Sequence, residues 1–220
     1  MAVPSPVAAG SIPELRFSVE EVGPLERAAV PTLRFGVRLD AGPEVVRSVL
    51  LHTQVQIAAR RRRYSNAEEE RMFDLFGAPE GWGTALRTLH WSNQTQAVPA
   101  FSGSTVVDVL VPCTYDFEVV ATRYLAALEG GEVPLELMFS GTVFYAGPGG
   151  MLQTARIAWD REAECRMPVS VWRETMARYF PDTAWLRLRT ESLERLQAYR
   201  SRNALTSFDE AIGRLLGEGG

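Results

Sequence analysis

The alternation of apolar and polar positions predicts strands first and helices later. Leu15-Arg16-Phe17-Ser18-Val19 has the period of two that marks a half-buried strand. Leu33 to Leu39 repeats it with Leu33, Phe35, Val37 and Leu39 on one face, and Asp40-Ala41-Gly42-Pro43 is expected to stop that strand. Val45 to Ala59 predicts a longer one, grouping Val49, Leu51, Thr53, Val55 and Ile57 against His52, Gln54 and Gln56. Thr84 to Trp91 predicts another, with Ala85, Arg87, Leu89 and Trp91 together. Thr105 to Val111 is a nearly continuous β-branched run suited to a central strand. Leu135 to Tyr145 alternates again, Gly147-Pro148-Gly149-Gly150 signals a turn, and Leu152 to Trp159 is expected to return as the hairpin partner.

Helical spacing enters at Ser65-Asn66-Ala67-Glu68, a capping box in which a hydroxyl and a carboxylate satisfy the first free N–H groups. It predicts a helix over Asn66 to Phe76 that buries Met72, Phe73 and Phe76 and ends at Gly77. Asp116 to Glu129 predicts a second helix, with Phe117, Val120, Tyr124 and Leu128 at helical spacing. Beyond Arg161, Trp172, Thr175, Met176 and Tyr179 form a helical stripe, and Leu186, Leu188 and Leu193 lead into a helix through Tyr199. Thr206-Ser207-Phe208-Asp209 caps a last one carrying Ile212, Leu215 and Leu216. Strands followed by helices predict a mainly β (α+β) fold: an antiparallel β-sandwich with short inserted helices and a helical C-terminal segment. The expected divisions are a loose tail over 1–13, a sandwich domain over 14–166, and a helical segment over 167–217 packed on it.

One phrase is written twice, as Phe101-Ser102-Gly103 and Phe139-Ser140-Gly141. The first leads into a strand. The second interrupts one, which predicts a bulge or a close approach of two backbones.

Composition narrows the chemistry. All 23 basic residues are arginine, so Schiff-base lysines and the lysine of a phosphate-binding loop are excluded. A net charge of -4 argues against a nucleic-acid partner. No apolar run reaches the roughly 20 residues a spanning helix needs, and the N-terminus lacks the basic region of a signal peptide, so no membrane and a cytoplasmic location are expected. Two isolated cysteines, Cys113 and Cys165, form neither a disulfide framework nor a zinc site. Two histidines make a poor metal site, and Glu162, Glu164 and Cys165 are expected in a charged, solvated loop. No hydrolase elbow, metalloprotease or dinucleotide motif occurs, so no catalytic residue, metal or cofactor is assigned.

Candidate binding residues remain. Arg60-Arg61-Arg62-Arg63 precedes a helix N-terminus, where guanidinium forks and free N–H groups suit an anion. Arg61 and Arg63 share a face if the strand's alternation persists, with Tyr64 beside them. The plainer reading is a solvated strand end paired with Glu68, Glu69 and Glu70. Pro112-Cys113-Thr114-Tyr115-Asp116 joins a buried strand to a helix. Asp116 or Thr114 would cap that helix, Tyr115 and Asp116 could offer polar contacts, and Cys113 is expected to be structural. Most of the five tryptophans fall on core-facing stripes. Trp82, between two glycines, is the one expected to be exposed and available to a partner.

The phrase Val98-Pro99-Ala100-Phe101-Ser102-Gly103 and the segment Pro134 to Phe144 resemble the later strands of small fibronectin-type sandwiches, of which the late-embryogenesis sandwich proteins are an example; this covers about a quarter of the chain. Most of the chain resembles an uncharacterised bacterial domain-of-unknown-function family often encoded near nickel-iron hydrogenase genes. That likeness is carried by Pro31-Thr32-Leu33-Arg34-Phe35, Arg62-Arg63-Tyr64, Leu75-Phe76-Gly77, Val111 to Asp116, Phe139 to Tyr145 and Val171-Trp172-Arg173-Glu174. The resemblance implies an accessory role and transfers no catalytic residue. The expectation is therefore a non-enzymatic accessory or protein-interaction module with a protein partner, linked to hydrogenase assembly or function. The alternative is a small-anion or small-molecule binding protein, or an enzyme, using a pocket at the sandwich end.

Overall fold

The structure, a computed structural model, describes residues 12–114, 116, 119–181, 183 and 187–217. The expectations for Tyr115, Phe117, Trp185, Leu186 and most of the N-terminal tail lie outside those residues. The chain divides into two compact units, Met1–Ala184 and Trp185–Gly220.

The first unit is mainly β and antiparallel. β1 (Arg16–Pro24) is followed by β2 (Thr32–Ile57), which is a single strand of 26 residues. Asp40 to Pro43 does not stop it. Gly42 takes φ 62°, and its N–H donates to Asp40 Oδ1 at 2.7 Å, so the turn signals make a bend inside the strand. Pairing with the neighbouring strand resumes beyond it, after a register shift between Asp40 and Val45.

Three short helices follow: α1 (Asn66–Arg71), α2 (Phe73–Phe76) and α3 (Trp82–Ala85). The Ser65–Glu68 capping box forms, but the helix it starts breaks at Met72. Met72 is buried and Phe73 lies exposed, against the expectation that both would be covered. The strand expected from Thr84 begins later, at Leu89, because Trp82 to Ala85 are helical.

β3 (Leu89–Val98) and β4 (Phe101–Pro112) lie end to end along one side of β2. After α4 (Val120–Ala127), β5 (Glu132–Ala146) takes the other side of β2's second half, while β1 takes that side of its first half. Two segments then share the far side of β5. β6 (Leu152–Arg156) pairs with Thr142 to Ala146, and β7 (Glu162–Pro168) pairs with Glu132 to Met138. Glu162, Glu164 and Cys165 thus belong to a strand, not the expected loop. Helix α5 (Val169–Tyr179) buries the stripe of Trp172, Thr175 and Met176.

The ribbon of β2 with β3–β4 is bent. Phe17 sits opposite Leu39 and Phe139 opposite Thr53, positions that a straight strand would hold about 46 Å apart at about 3.3 Å per residue. Their rings stack at 4.1 Å. Phe35 and Trp91 likewise meet edge to face at 6.4 Å. Leu33, Phe35 and Val37 of the first half and Leu51, Val55, Leu137 and Phe139 of the second belong to one buried cluster.

In the second unit, α6 (Thr190–Arg202) and α7 (Phe208–Leu216) form a helical pair. Ser207 caps α7 by accepting from the Glu210 N–H, Gly217 closes it in the left-handed region, and the Arg200 guanidinium lies 4.4 Å from the Phe208 ring centre.

Candidate functional site

The arginine run turns inward at one residue only. β2 ends at Ile57, and a single 3-10 turn over Ala59–Arg61 breaks the alternation that would have placed Arg61 and Arg63 together. Arg61 is exposed and bridged to Glu164 at 2.6 Å and Glu136 at 3.1 Å, carboxylates from β7 and β5 rather than from α1. Arg63 is exposed as well.

Arg62 is buried. Its Nη2 donates to Glu68 Oε1 at 2.6 Å and to the Gly130 carbonyl at 2.7 Å, and its Nη1 to the Glu132 carbonyl at 3.0 Å. Glu68 also accepts from the backbone N–H of Glu129 and Ser65. Arg173 donates to the Leu128 carbonyl. These guanidinium groups collect the carbonyls that follow α4 and would otherwise lack partners. Beside them the Tyr64 hydroxyl donates to the Ala59 carbonyl at 2.6 Å, so the Tyr124 hydroxyl, 2.8 Å away, donates to Tyr64. Burial raises both phenols above their ordinary value. Arg62 and Tyr64 are thus engaged within the fold, the Arg62 Nε alone lacking a partner among the described residues.

Trp82 is a correction of the same kind. It is 6% exposed, its ring meets Tyr64 and Phe76 edge to face, and its Nε1–H donates to the Gly77 carbonyl at 2.9 Å. Trp82 opens α3, and its indole packs inward against rings from α2 and from Tyr64. Asp116 is half-buried, and its N–H donates to Thr114 Oγ1 at 3.0 Å. Cys113 and Cys165 are free thiols whose burial pushes each up to about 12, which leaves them protonated near neutral pH. His52 Nδ1 is 2.8 Å from Thr95 Oγ1, and His90 Nδ1 3.4 Å from Gln54 Nε2. Among the described residues no three His, Cys, Asp or Glu side chains gather to hold a metal ion.

The feature that strand alternation does not reveal lies at the second Phe-Ser-Gly phrase. Gly141 has φ 139°, and a Cβ there would fall 2.0 Å from the Leu50 carbonyl oxygen, so β5 and β2 approach as only glycine permits. Opposite this point the far strand is broken. Ile157 N–H donates to the Gly141 carbonyl and Phe139 N–H to the Arg161 carbonyl, while 158–160 leave the sheet. The notch is a cleft of about 640 Å³ lined by His52, Ser140, Thr142, Arg156, Ala158 and Trp159 among others. Among the described residues no carboxylate lines it. Trp159, expected on a strand facing the core, is 91% exposed because β6 ends at Arg156. A second cleft, of about 380 Å³, lies in the C-terminal unit along Arg195, Tyr199 and Leu215. Neither cleft is lined by Arg61, Arg63, Tyr64, Trp82 or Asp116.

β6 is an open edge. Gly147 N–H donates to the Met151 carbonyl and Ile157 N–H to that of Gly141, which places the hydrogen-bonded pairs at odd-numbered residues of the strand. By antiparallel geometry, Leu152, Thr154 and Arg156 turn their N–H and C=O groups away from β5. Among the described residues no other strand pairs there. Met151 and Leu152, at the other end of β6, are each 66% exposed.

Residues 12–220 match a family of unknown function, DUF6084, and the chain belongs to that family. No curated protein matches it. Solved structures with some likeness include beta-glucosidase 3B from Thermotoga neapolitana in complex with glycerol, at 11% identity and TM-score 0.26 over 70% of this chain and 17% of that one. A Bordetella pertussis protein provisionally named ApaA shares 12% identity at TM-score 0.26, over 72% of this chain and 95% of its own. A beta-glucosidase from Kluyveromyces marxianus shares 7% at TM-score 0.25, over 70% and 15%. The chain thus spans about a sixth of the glucosidases, and scores this low define no common fold. No helix among the described residues is long and apolar enough to cross a membrane.

Proposed function

We propose that this protein is a non-enzymatic interaction module of the bacterial cytoplasm, a two-layer β-sandwich that binds another protein along the open edge of β6. The stacking of Phe17 on Phe139, which brings the two halves of the bent ribbon face to face, supports the sandwich. The observation that carries the function is Trp159. A 91% exposed indole just beyond β6, a strand with unused backbone groups and exposed Leu152 at its start, is costly to leave in water and suited to a partner added at that edge. The likeness to proteins encoded beside nickel-iron hydrogenase genes makes a hydrogenase assembly or functional component the partner to look for.

A pocket for a small anion built on Arg61 and Arg63 has less support, since Arg61 is already matched by Glu136 and Glu164. The test is co-purification of the tagged full chain from its native host, beside the Thr154→Pro and Trp159→Ala variants. Thr154 offers its N–H outward, so proline blocks the edge without removing a bond to β5. A partner retained by the native chain and lost by both variants is the expected result. Recovery of the protein alone under gentle conditions refutes the reading.

A further inference from the structure

The edge of β6 has a chemistry of its own. Leu152, Thr154 and Arg156 project from one face of the sheet at every second residue, and all three are exposed. Several arginines of the sheet and its loops are matched, Arg34 by Glu21 and Asp108, Arg38 by Glu20, Arg61 by Glu136 and Glu164, Arg161 by Glu14, whereas exposed Arg47 of β2 has no ion pair among the described residues. Arg156 has neither an ion pair nor a hydrogen bond among the described residues, although the chain carries a net charge of -4. The cleft beside it supplies hydroxyls from Ser140 and Thr142 and the imidazole of His52, and no negative charge. β7, which continues along the same side of β5, is guarded by Glu162, Glu164, Arg166 and Pro168. β6 has no proline and no charge other than Arg156.

We infer that the β6 edge takes an extended, acidic segment of a partner protein as an added strand. The inference rests on the interaction reading above and names the chemistry of the partner. On the outer face of such a strand, a carboxylate lies opposite Arg156 and an apolar side chain opposite Leu152, four residues apart, because same-face neighbours recur every second residue. An aromatic or aliphatic residue beyond the carboxylate covers Trp159. A second copy of this chain is the poorer occupant. Two β6 strands paired antiparallel about Thr154 set Arg156 against Leu152 of the other copy and leave both guanidinium groups unmatched.

The experiment selects peptides from a randomised decapeptide display library on the full chain, then measures synthetic binders by fluorescence polarisation. Selected peptides are expected to carry Asp or Glu with an apolar residue four positions away. Changing that carboxylate to its amide, or Arg156→Gln, weakens binding roughly tenfold, the size of one charge-assisted contact. Thr154→Pro, or N-methylation of alternate peptide nitrogens, removes binding altogether. Thermal melts of each variant check that the fold is kept. Failure to select any peptide, selected peptides without a carboxylate, binding indifferent to Arg156→Gln, or a Thr154→Pro-sensitive dimer in light scattering each overturn the inference. A partner from the native host that depends on Thr154 and Trp159 but not on Arg156 would overturn the acidic strand while leaving the interaction module standing.

Discussion

Arg62 and Arg156 carry the same guanidinium into opposite circumstances. Arg62 follows a strand, meets Glu68 and two backbone carbonyls beyond the end of α4, and its side chain is only 10% exposed. Arg156 ends a strand and meets no protein partner among the described residues. Trp82 and Trp159 repeat the contrast, one with its ring enclosed and its N–H satisfied, the other in solvent. A run of four arginines attracts attention as a binding site, yet its central member is consumed by folding. Arg156, in an unremarkable strand, stays exposed without an ion pair among the described residues, as do Arg16 and Arg47. What separates the two is whether the fold has already matched the charge.

The largest test of this contrast is Arg62→Leu. It leaves Glu68 buried without its cation and is expected to cost about 3–5 kcal/mol in urea unfolding. Arg156→Gln is expected to leave the midpoint unchanged; equal losses at both sites would erase the distinction. Next comes Trp82→Ala, which empties a packed aromatic site for about 3 kcal/mol, while Trp159→Ala stays within about 0.5 kcal/mol. The two Phe-Ser-Gly copies give a finer comparison. Gly141→Ala forces a Cβ into the Leu50 carbonyl and is expected to cost about 3 kcal/mol. Gly103→Ala, at φ 70° with open space around it, should cost about 1 kcal/mol.

The smallest effect near neutral pH comes from the thiols. Burial raises Cys113 from 9.0 to about 12, so the folded state favours the protonated form. That contribution is complete below pH 9 and is lost as pH rises through about 12. Urea midpoints of the native chain should therefore fall across that range, and those of Cys113→Ala should fall less. Rapid modification of Cys113 by a thiol reagent at pH 8 would contradict its burial.

Period-two alternation was sufficient to read the strand positions Leu33 to Leu39, Val49 to Ile57 and Leu135 to Tyr145, because one face of each is buried. The Ser65–Glu68 box and the constraint at Gly141 were legible too, since each is a local requirement of the backbone. The continuity of β2 was not. Asp40-Ala41-Gly42-Pro43 has the residues of a chain reversal, and only pairing with β4, some sixty residues on, makes it a bend. The exposures of the two tryptophans were inverted for a related reason. Glycines beside Trp82 signalled a loop, but the Tyr64 and Phe76 rings that enclose it come from elsewhere. Alternation carried Trp159 onto a strand, but β5 accepts β6 and β7 as separate segments with a notch between them. Arg156 could not be singled out before the partners of the other arginines were known.

The length of β2 also has a consequence in time. Its second half, ending at Ile57, acquires its neighbour on one side only when β5 begins at Glu132. At a synthesis rate of about 5–20 residues per second, a nascent chain carries that apolar ribbon half-covered for on the order of 4–15 s. Such long-range pairing also slows refolding toward the millisecond-to-second range typical of β topologies. Low temperature and an abundant supply of holding chaperones should therefore raise the soluble yield of this protein.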